Sequence, residues 1–387
     1  GGTWYNAELE KSLAEATTAK QHESAQRIIA ENAKEIAEVR RVEAIENLRK
    51  ARKVVDTSLT GISEIIRYYP GVQRVREGLL EEVAKEYEEF AAQQGEDFEI
   101  QLERATAYVR LGEVRQTLGE LDAAEVAYKN ADSIFFKMNE TFGTRMEVGV
   151  LAATAKIKHA GILETRGEVV GAIQMVQDIL KKLRPFLEDR ENALQAKVVF
   201  GNALFNLSAM CLASSNYASS EQYATEALVF YGKAVKETEN SYRLQLGLAN
   251  TLNVLGTIDL EKGKLSEAYR HFEKGYSVLS QLLENDPDKI DYLQSQAMMA
   301  ISKGVVARHL GDTRGELAAY QEALQSYRSL DRALPDVPEF RENTALTLTD
   351  IGQLYIQATM LSEAQVVLDE AYATFKELAI EHGEVLR

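Results

Sequence analysis

The stretch LGTIDLEKGKLSEA, residues 255–268, decides the fold because its pattern recurs along the chain. It contains Leu-Gly, a second glycine seven positions after the first, and an alanine five positions later. Steps of 48 residues reach related copies, six in one register over residues 105–387. The glycine of Leu-Gly is matched in these copies by small residues: Gly112, Ala160, Ser208, Gly256, Gly304 and Gly352. A repeat of this length predicts a stack of similar units.

Each copy is interpreted as two helices joined by a turn. The small residue at the Leu-Gly position lets the two helices approach closely. The second glycine suits a turn with positive φ, which a Cβ disfavours. This glycine occurs at Gly119, Gly167, Gly263 and Gly311, whereas Ser215 and Thr359 replace it in the third and sixth copies. The arrangement resembles the tetratricopeptide repeat, and the sequence predicts an all-α, right-handed superhelical solenoid of six such units.

A tetratricopeptide repeat needs only about 34 residues, so roughly 14 residues of each unit remain to be assigned. We assign them to longer helices. The segments 286–292 and 335–340 lie at matching places and predict helix starts, with an aspartate as the cap and a proline in the first turn. The first helix of the last unit is therefore expected from about 337 to 357.

Composition excludes several classes of function. The 387 residues carry a formal net charge of −16, and such an acidic chain lacks the basic surface that nucleic acid or anionic lipid requires. Long stretches made up only of apolar residues are absent from the sequence, which predicts no membrane span within it. The one cysteine, Cys211, lies in an apolar stretch and is expected to be a core residue.

The N-terminal region, residues 1–71, is expected to form one long helix, because no glycine or proline occurs between Asn6 and Leu59. Apolar residues such as Leu9, Leu13, Ile29 and Ile36 recur at spacings of three and four. Three arrangements remain open: a coiled coil with a second copy, a helix packed along the solenoid, and a free arm. Residues 72–104 then supply a capping region, with a helix from about 72 to 93.

Several blocks of the sequence resemble one particular family, the C-terminal repeat region of planctomycete-type membrane-anchored serine/threonine protein kinases. The resemblance covers roughly residues 45–387 and is most specific between 51 and 112. It depends on these blocks: 51–60 (ARKVVDTSLT), 70–73 (PGVQ), 79–81 (LLE), 95–97 (GED), 107–112 (AYVRLG) and 335–341 (PDVPEFR).

The resemblance implies a sensing or scaffolding tail outside the cytoplasm, behind a kinase domain and a membrane span. Trp4-Tyr5 would suit the aromatic belt beyond such a span. The sequence departs from the kinases themselves, because it contains no G-x-G-x-x-G-x-V, H-R-D or D-F-G motif. Kinase activity is therefore not expected of these residues, and a free-standing cytoplasmic adaptor remains the alternative.

No pattern predicts a catalytic, metal or cofactor site, since the five histidines are scattered and no paired Cys/His spacing occurs. The expected functional surface is the concave groove lined by the first helices, where a protein or peptide would bind. Asparagines there could hold a peptide backbone, whereas the apolar residues either contact a ligand or pack within the protein. The candidate groove residues are Asn202, Phe205, Asn250, Asn253, Met298, Ile301, Val305 and Arg308.

Overall fold

A computed structural model describes residues 72–188, 193–238, 241–335 and 337–385, together with part of the chain between residues 20 and 69. From residue 72 onward, the described residues form helix α1 (Gln73–Ala91), a short 3₁₀ helix (Arg184–Glu188) and six helix pairs. The first helices of the pairs are α2 (Phe98–Thr117), α4 (Met146–Thr165), α6 (Ala193–Ala213), α8 (Tyr242–Glu261), α10 (Ile290–Leu310) and α12 (Pro338–Gln357). The second helices are α3 (Leu121–Phe142), α5 (Val169–Leu183), α7 (Tyr217–Glu237), α9 (Leu265–Asn285), α11 (Thr313–Ala333) and α13 (Leu361–Val385).

The turns within the pairs keep the 48-residue step, and each second helix begins 48 residues after the one before it. The four predicted turn glycines have φ between +71° and +82°. Ser215 and Thr359 adopt the same left-handed conformation, with φ of 56° and 60°. For a residue with a Cβ this conformation costs about 1–2 kcal/mol, so the packed helices on either side must determine the turn.

The predicted helix starts are right in position, and the predicted proline in the first turn is confirmed for α12, but the N-caps of α10 and α12 are Lys289 and Val337 rather than aspartates. Helix α12 begins at Pro338, close to the expected residue 337, and its proline occupies the first turn. In α10, however, the N-cap is Lys289, which makes no side-chain capping bond, and Asp286 instead ends α9. Packing rather than capping therefore determines where α10 begins.

The small residue of each first helix is followed, sixteen positions later in sequence, by a residue of the second helix. In four units the small residue is glycine, and an added Cβ would overlap the facing side chain: Tyr128, Phe272, Tyr320 or Leu368. At these two positions the second unit has Ala160 and Val176, and the third unit has Ser208 and Ala224. In both units the first-helix residue is larger than glycine and the second-helix residue is smaller than tyrosine, phenylalanine or leucine. A larger residue on the first helix is therefore accompanied by a smaller residue on the second helix, as close packing requires.

The first helices lie on the inner side of the stack. Helix α2 contacts α4, α4 contacts α6, and α6 contacts α8, whereas described second helices of adjacent units make no contact of comparable extent. Because only this layer is in mutual contact from α2 to α8, that part of the stack curves with the first helices inside. The described residues of α8, α10 and α12 make no mutual contact of that extent, so the inner layer opens toward the later units.

Helix α6 qualifies, by length and composition, as a helix that could cross a membrane, over Leu194–Ala213. The stretch contains Lys197, Asn202 and Asn206, so it is not made up only of apolar residues, and the absence of a membrane span stays a prediction. In the fold, 61% of this stretch is buried inside the protein. Phe200, Leu204 and Leu207 are almost completely buried, packed among the neighbouring helices. Its apolar character is thus that of a central core helix.

The predicted N-terminal helix is described only in part. The described residues between 20 and 55 are helical, and the remainder of that prediction lies outside the described residues. Val55 is buried against α1 and α2, in a cluster with Leu80, Val83 and Tyr87. Earlier apolar residues of this helix are exposed, among them Ile29, which is 68% exposed. The helix thus contacts the solenoid at Val55, while its earlier apolar residues face outward.

Candidate binding surface on the inner helices

Two of the predicted groove residues are exposed but bound to a second helix. The hydroxyl of Tyr231 donates a hydrogen bond to Asn202 Oδ1 at 3.0 Å. Arg308 donates from Nε to Glu316 Oε1 at 2.5 Å and from Nη2 to the hydroxyl of Tyr320 at 2.8 Å. Both side chains therefore hold a helix pair together, whatever else they contact.

Two apolar candidates pack between units. Phe205 packs against a cluster that includes Val254 and Ile258 of the next unit, and Ile301 packs against a cluster that includes Leu348 of the unit that follows it. Asn250, Asn253 and Val305 are half-buried on the same inner layer. Their place on the first helices is therefore described, while ligand contact by any of these residues stays a prediction.

Met298 differs from the other candidates, because its side chain is exposed over an open cavity. The residue is 60% exposed and lies in a cavity of about 320 Å³ between α10 and α12. The other lining residues are Asp291, Gln294, Ser295, Tyr327, Glu339, Phe340 and Asn343. This is the region where the inner layer has opened.

The other lining residues were not among the predicted groove residues, although a sequence signal for some of them was present. Gln294 and Asp291 lie four and seven positions before Met298, a spacing that puts them on its face of the helix. Those positions precede the repeat copy that begins at residue 297, in the part of each unit that the sequence assigns to a longer first helix. The extension therefore adds binding surface as well as length.

The cavity is acidic. Its described lining includes the carboxylates of Asp291 and Glu339 and no lysine or arginine. Burial, and secondarily the charge of Glu339, raises the pKa of the Tyr327 hydroxyl, which stays neutral. Further along α12, burial also raises the pKa of Asp350, and the charge of Arg308 opposes that shift. The cavity can therefore accept a cation and offers amide groups beside it.

A buried lysine elsewhere does not have the properties of a nucleophile. Lys303 of α10 is 2% exposed and forms ion pairs with Glu273 and with Glu322, the latter at 2.7 Å. Burial acts to lower its pKa, but hydrogen bonds from the ammonium to the two carboxylates outweigh burial and raise it. The ammonium group is therefore kept charged. Among the described residues, no group of three or more His, Cys, Asp or Glu side chains could hold a metal ion.

Comparison with known proteins supports the fold. No protein-family model matches the chain, and no curated protein matches it. Solved structures do match, among them BtubC (BKLC) from P. vanneervenii, 15% identical, with a TM-score of 0.50 over 67% of this chain and 92% of that one. Together with the six helix pairs, this likeness confirms the predicted fold class, an all-α, tetratricopeptide-like solenoid.

Two further solved structures match with lower TM-scores. PilF of Pseudomonas aeruginosa is 19% identical, with a TM-score of 0.40 over 69% of this chain and 98% of that one. A signal-transduction ATPase with a tetratricopeptide repeat sensor, from Pyrococcus horikoshii, is 16% identical, with a TM-score of 0.44 over 83% of this chain and 50% of that one.

Proposed function

We propose that this tetratricopeptide-repeat solenoid is a non-catalytic scaffold that captures an extended protein segment on the inner face of its first helices. The supporting observation is Met298, an exposed apolar side chain over an open cavity with Gln294 and Asn343 among the lining residues. An exposed apolar residue in a concave, polar surface is typical of a contact site. Amide side chains can pair with both the N–H and the C=O groups of an extended backbone.

Site-specific photo-crosslinking tests this proposal. A photoreactive amino acid at Asn202, Asn253 or Met298 is expected to form a covalent product with a partner protein in native cells. Val229 is the matched control, because it is 68% exposed but lies on second helix α7. We expect no product from Val229. Equal labelling from Val229 and from the inner positions would show that the inner face has no special role.

We further propose, from the family resemblance, that the scaffold is the extracytoplasmic tail of a membrane-anchored serine/threonine kinase. In this proposal the N-terminal helix pairs with a second copy and so brings two kinases together. Ile29, Ile36 and Val39 support such pairing, since they are more than half exposed and follow the seven- and three-residue steps of a coiled-coil seam. The alternative is a free-standing cytoplasmic adaptor.

Fractionation and mass measurement separate these alternatives. An antibody raised against this chain is expected to detect a band much larger than 43.2 kDa in the membrane fraction of native cells. Light scattering of the purified chain is expected to give twice the monomer mass. A soluble band near 43.2 kDa would favour the adaptor, and a strict monomer in concentrated solution would contradict pairing through this helix.

A further inference from the structure

A short segment of the chain itself lies against the acidic cavity. The described residues 66–69 form a turn in which the Tyr69 amide donates to the Ile66 carbonyl at 3.1 Å. Tyr68 and Tyr69 pack against the buried cluster of Leu293 and Phe340 at the beginning of α10 and α12. These contacts join parts of the chain more than 220 residues apart in sequence, since Tyr68 and Gln294 are separated by 226.

Arg67 and Tyr68 of this segment each contact a group in or beside the cavity. The guanidinium of Arg67 is 3.5 Å from Asp291 Oδ1 and stacks 4.7 Å from the centre of the Tyr68 ring. The Tyr68 hydroxyl donates to Gln294 Oε1 at 3.2 Å. The Tyr68 ring lies 5.3 Å from that of Phe340, tilted by 46°. The surface therefore places a carboxylate beside Arg67, and an amide oxygen and an aromatic ring beside Tyr68.

These contacts are weak enough to be exchanged. The Arg67 and Asp291 side chains are 38% and 62% exposed, and ion pairs this exposed contribute little in water. Tyr68 remains half-buried rather than enclosed. The cavity beside the segment, lined by Met298 and Asn343, leaves room for a longer peptide than residues 66–69 supply.

The segment is also held near the surface by the chain. Only two residues separate Tyr69 from Val72, the N-cap of α1, so an extended chain keeps Tyr69 within about 11 Å of Val72. Tethering of this kind gives an effective concentration on the order of millimolar. A weakly bound segment can therefore occupy the surface and still be displaced by a partner that makes more contacts.

We propose that the acidic inner face of α10 and α12 binds a peptide segment in which a basic residue precedes an aromatic one, and that Arg67-Tyr68-Tyr69 occupies it as an internal ligand. This inference rests on the proposed scaffold function and names its partner chemistry. A partner carrying the same pair of residues competes with the internal segment. The segment thereby raises the affinity that a partner needs.

Fluorescence anisotropy with a labelled peptide of residues 64–71 tests the proposal on the full chain. The variant Arg67→Ala/Tyr68→Ala empties the surface and is expected to bind the peptide at least about ten-fold more tightly than the unmodified chain, which competes internally. Adding Asp291→Lys to this variant is expected to weaken binding of this peptide, because a lysine at that position repels the arginine of the peptide. A second peptide, with glutamate in place of the arginine, is expected to bind the variant that carries Asp291→Lys better than the original peptide does.

Three results would overturn the proposal: no binding by the emptied, folded variant, equal binding by the emptied and unmodified chains, or no response to Asp291→Lys. Circular dichroism checks folding. If Arg67→Ala/Tyr68→Ala does not fold, Arg67→Glu, which keeps the ring contact, takes its place with the same expected order of affinities. Crosslinking from Asn202 and Asn253 would remain positive if only this inference failed, since those residues lie on α6 and α8.

Discussion

Replacing Tyr231 with alanine is expected to lower the free energy of unfolding by about 3–5 kcal/mol, the cost of emptying a large buried aromatic site. Tyr231 is completely buried on α7. Its ring lies against Gly201 of α6 and Gly247 of α8, so closely that a Cβ on either glycine would overlap it. The ring of Tyr231 therefore fills the interface between the third and fourth units.

The structure also predicts how the loss of stability in Tyr231→Ala will appear in unfolding experiments. In a stack of repeats, stability is approximately a sum of unit and interface contributions. Without the ring, denaturant unfolding followed by circular dichroism is expected to broaden or separate into two transitions. Hydrogen exchange should become faster first in α6, α7 and α8.

Two variants serve as controls for Tyr231. Tyr231→Phe keeps the ring and loses only the hydrogen bond to Asn202, so it should cost about 1 kcal/mol or less. Tyr242→Ala removes a tyrosine that is 52% exposed and should change stability by no more than about 0.5 kcal/mol. If Tyr231→Ala lowers the free energy of unfolding by no more than either control, the interface between the third and fourth units does not depend on this ring.

Replacing Gly256 with alanine is expected to cost about 1–3 kcal/mol, even though alanine is the better helix former by about 1 kcal/mol. The new Cβ would lie 2.7 Å from Phe272 Cε1, and Phe272 is 1% exposed, so the ring has little room to move. Thermal unfolding is the measurement. The direction of the change in stability is informative, because helix propensity alone predicts that Gly256→Ala stabilises the protein.

The chain contains both a control and a rescue for this variant. Gly232 lies inside α7 with no atom near an added Cβ, so Gly232→Ala should stabilise by about 0.5–1 kcal/mol. Gly256→Ala combined with Phe272→Val reproduces the Ala160 and Val176 pair of the second unit and should recover part of the loss. Destabilisation of equal size in Gly256→Ala and Gly232→Ala would contradict close packing as the cause.

The repeat itself was predictable from residues near one another in sequence. The step of 48 residues, the turn glycines and the small residues that face large ones all act within one unit. For this reason the pattern predicted the six helix pairs and the start of α12 near residue 337. The apolar candidates Phe205 and Ile301 were harder to interpret, because exposure on an inner helix depends on how the next unit lies against it.

The sequence by itself determined a stack of helix pairs with an acidic surface, because close packing within each unit is encoded by neighbouring side chains. Only the tertiary structure decided that Tyr68 meets Gln294 and Phe340, and that a cavity opens between α10 and α12. The physical reason is that a small rotation between successive units adds up along the stack, and the total rotation determines which distant parts of the chain come into contact. Residues that are close together in sequence do not encode that total rotation.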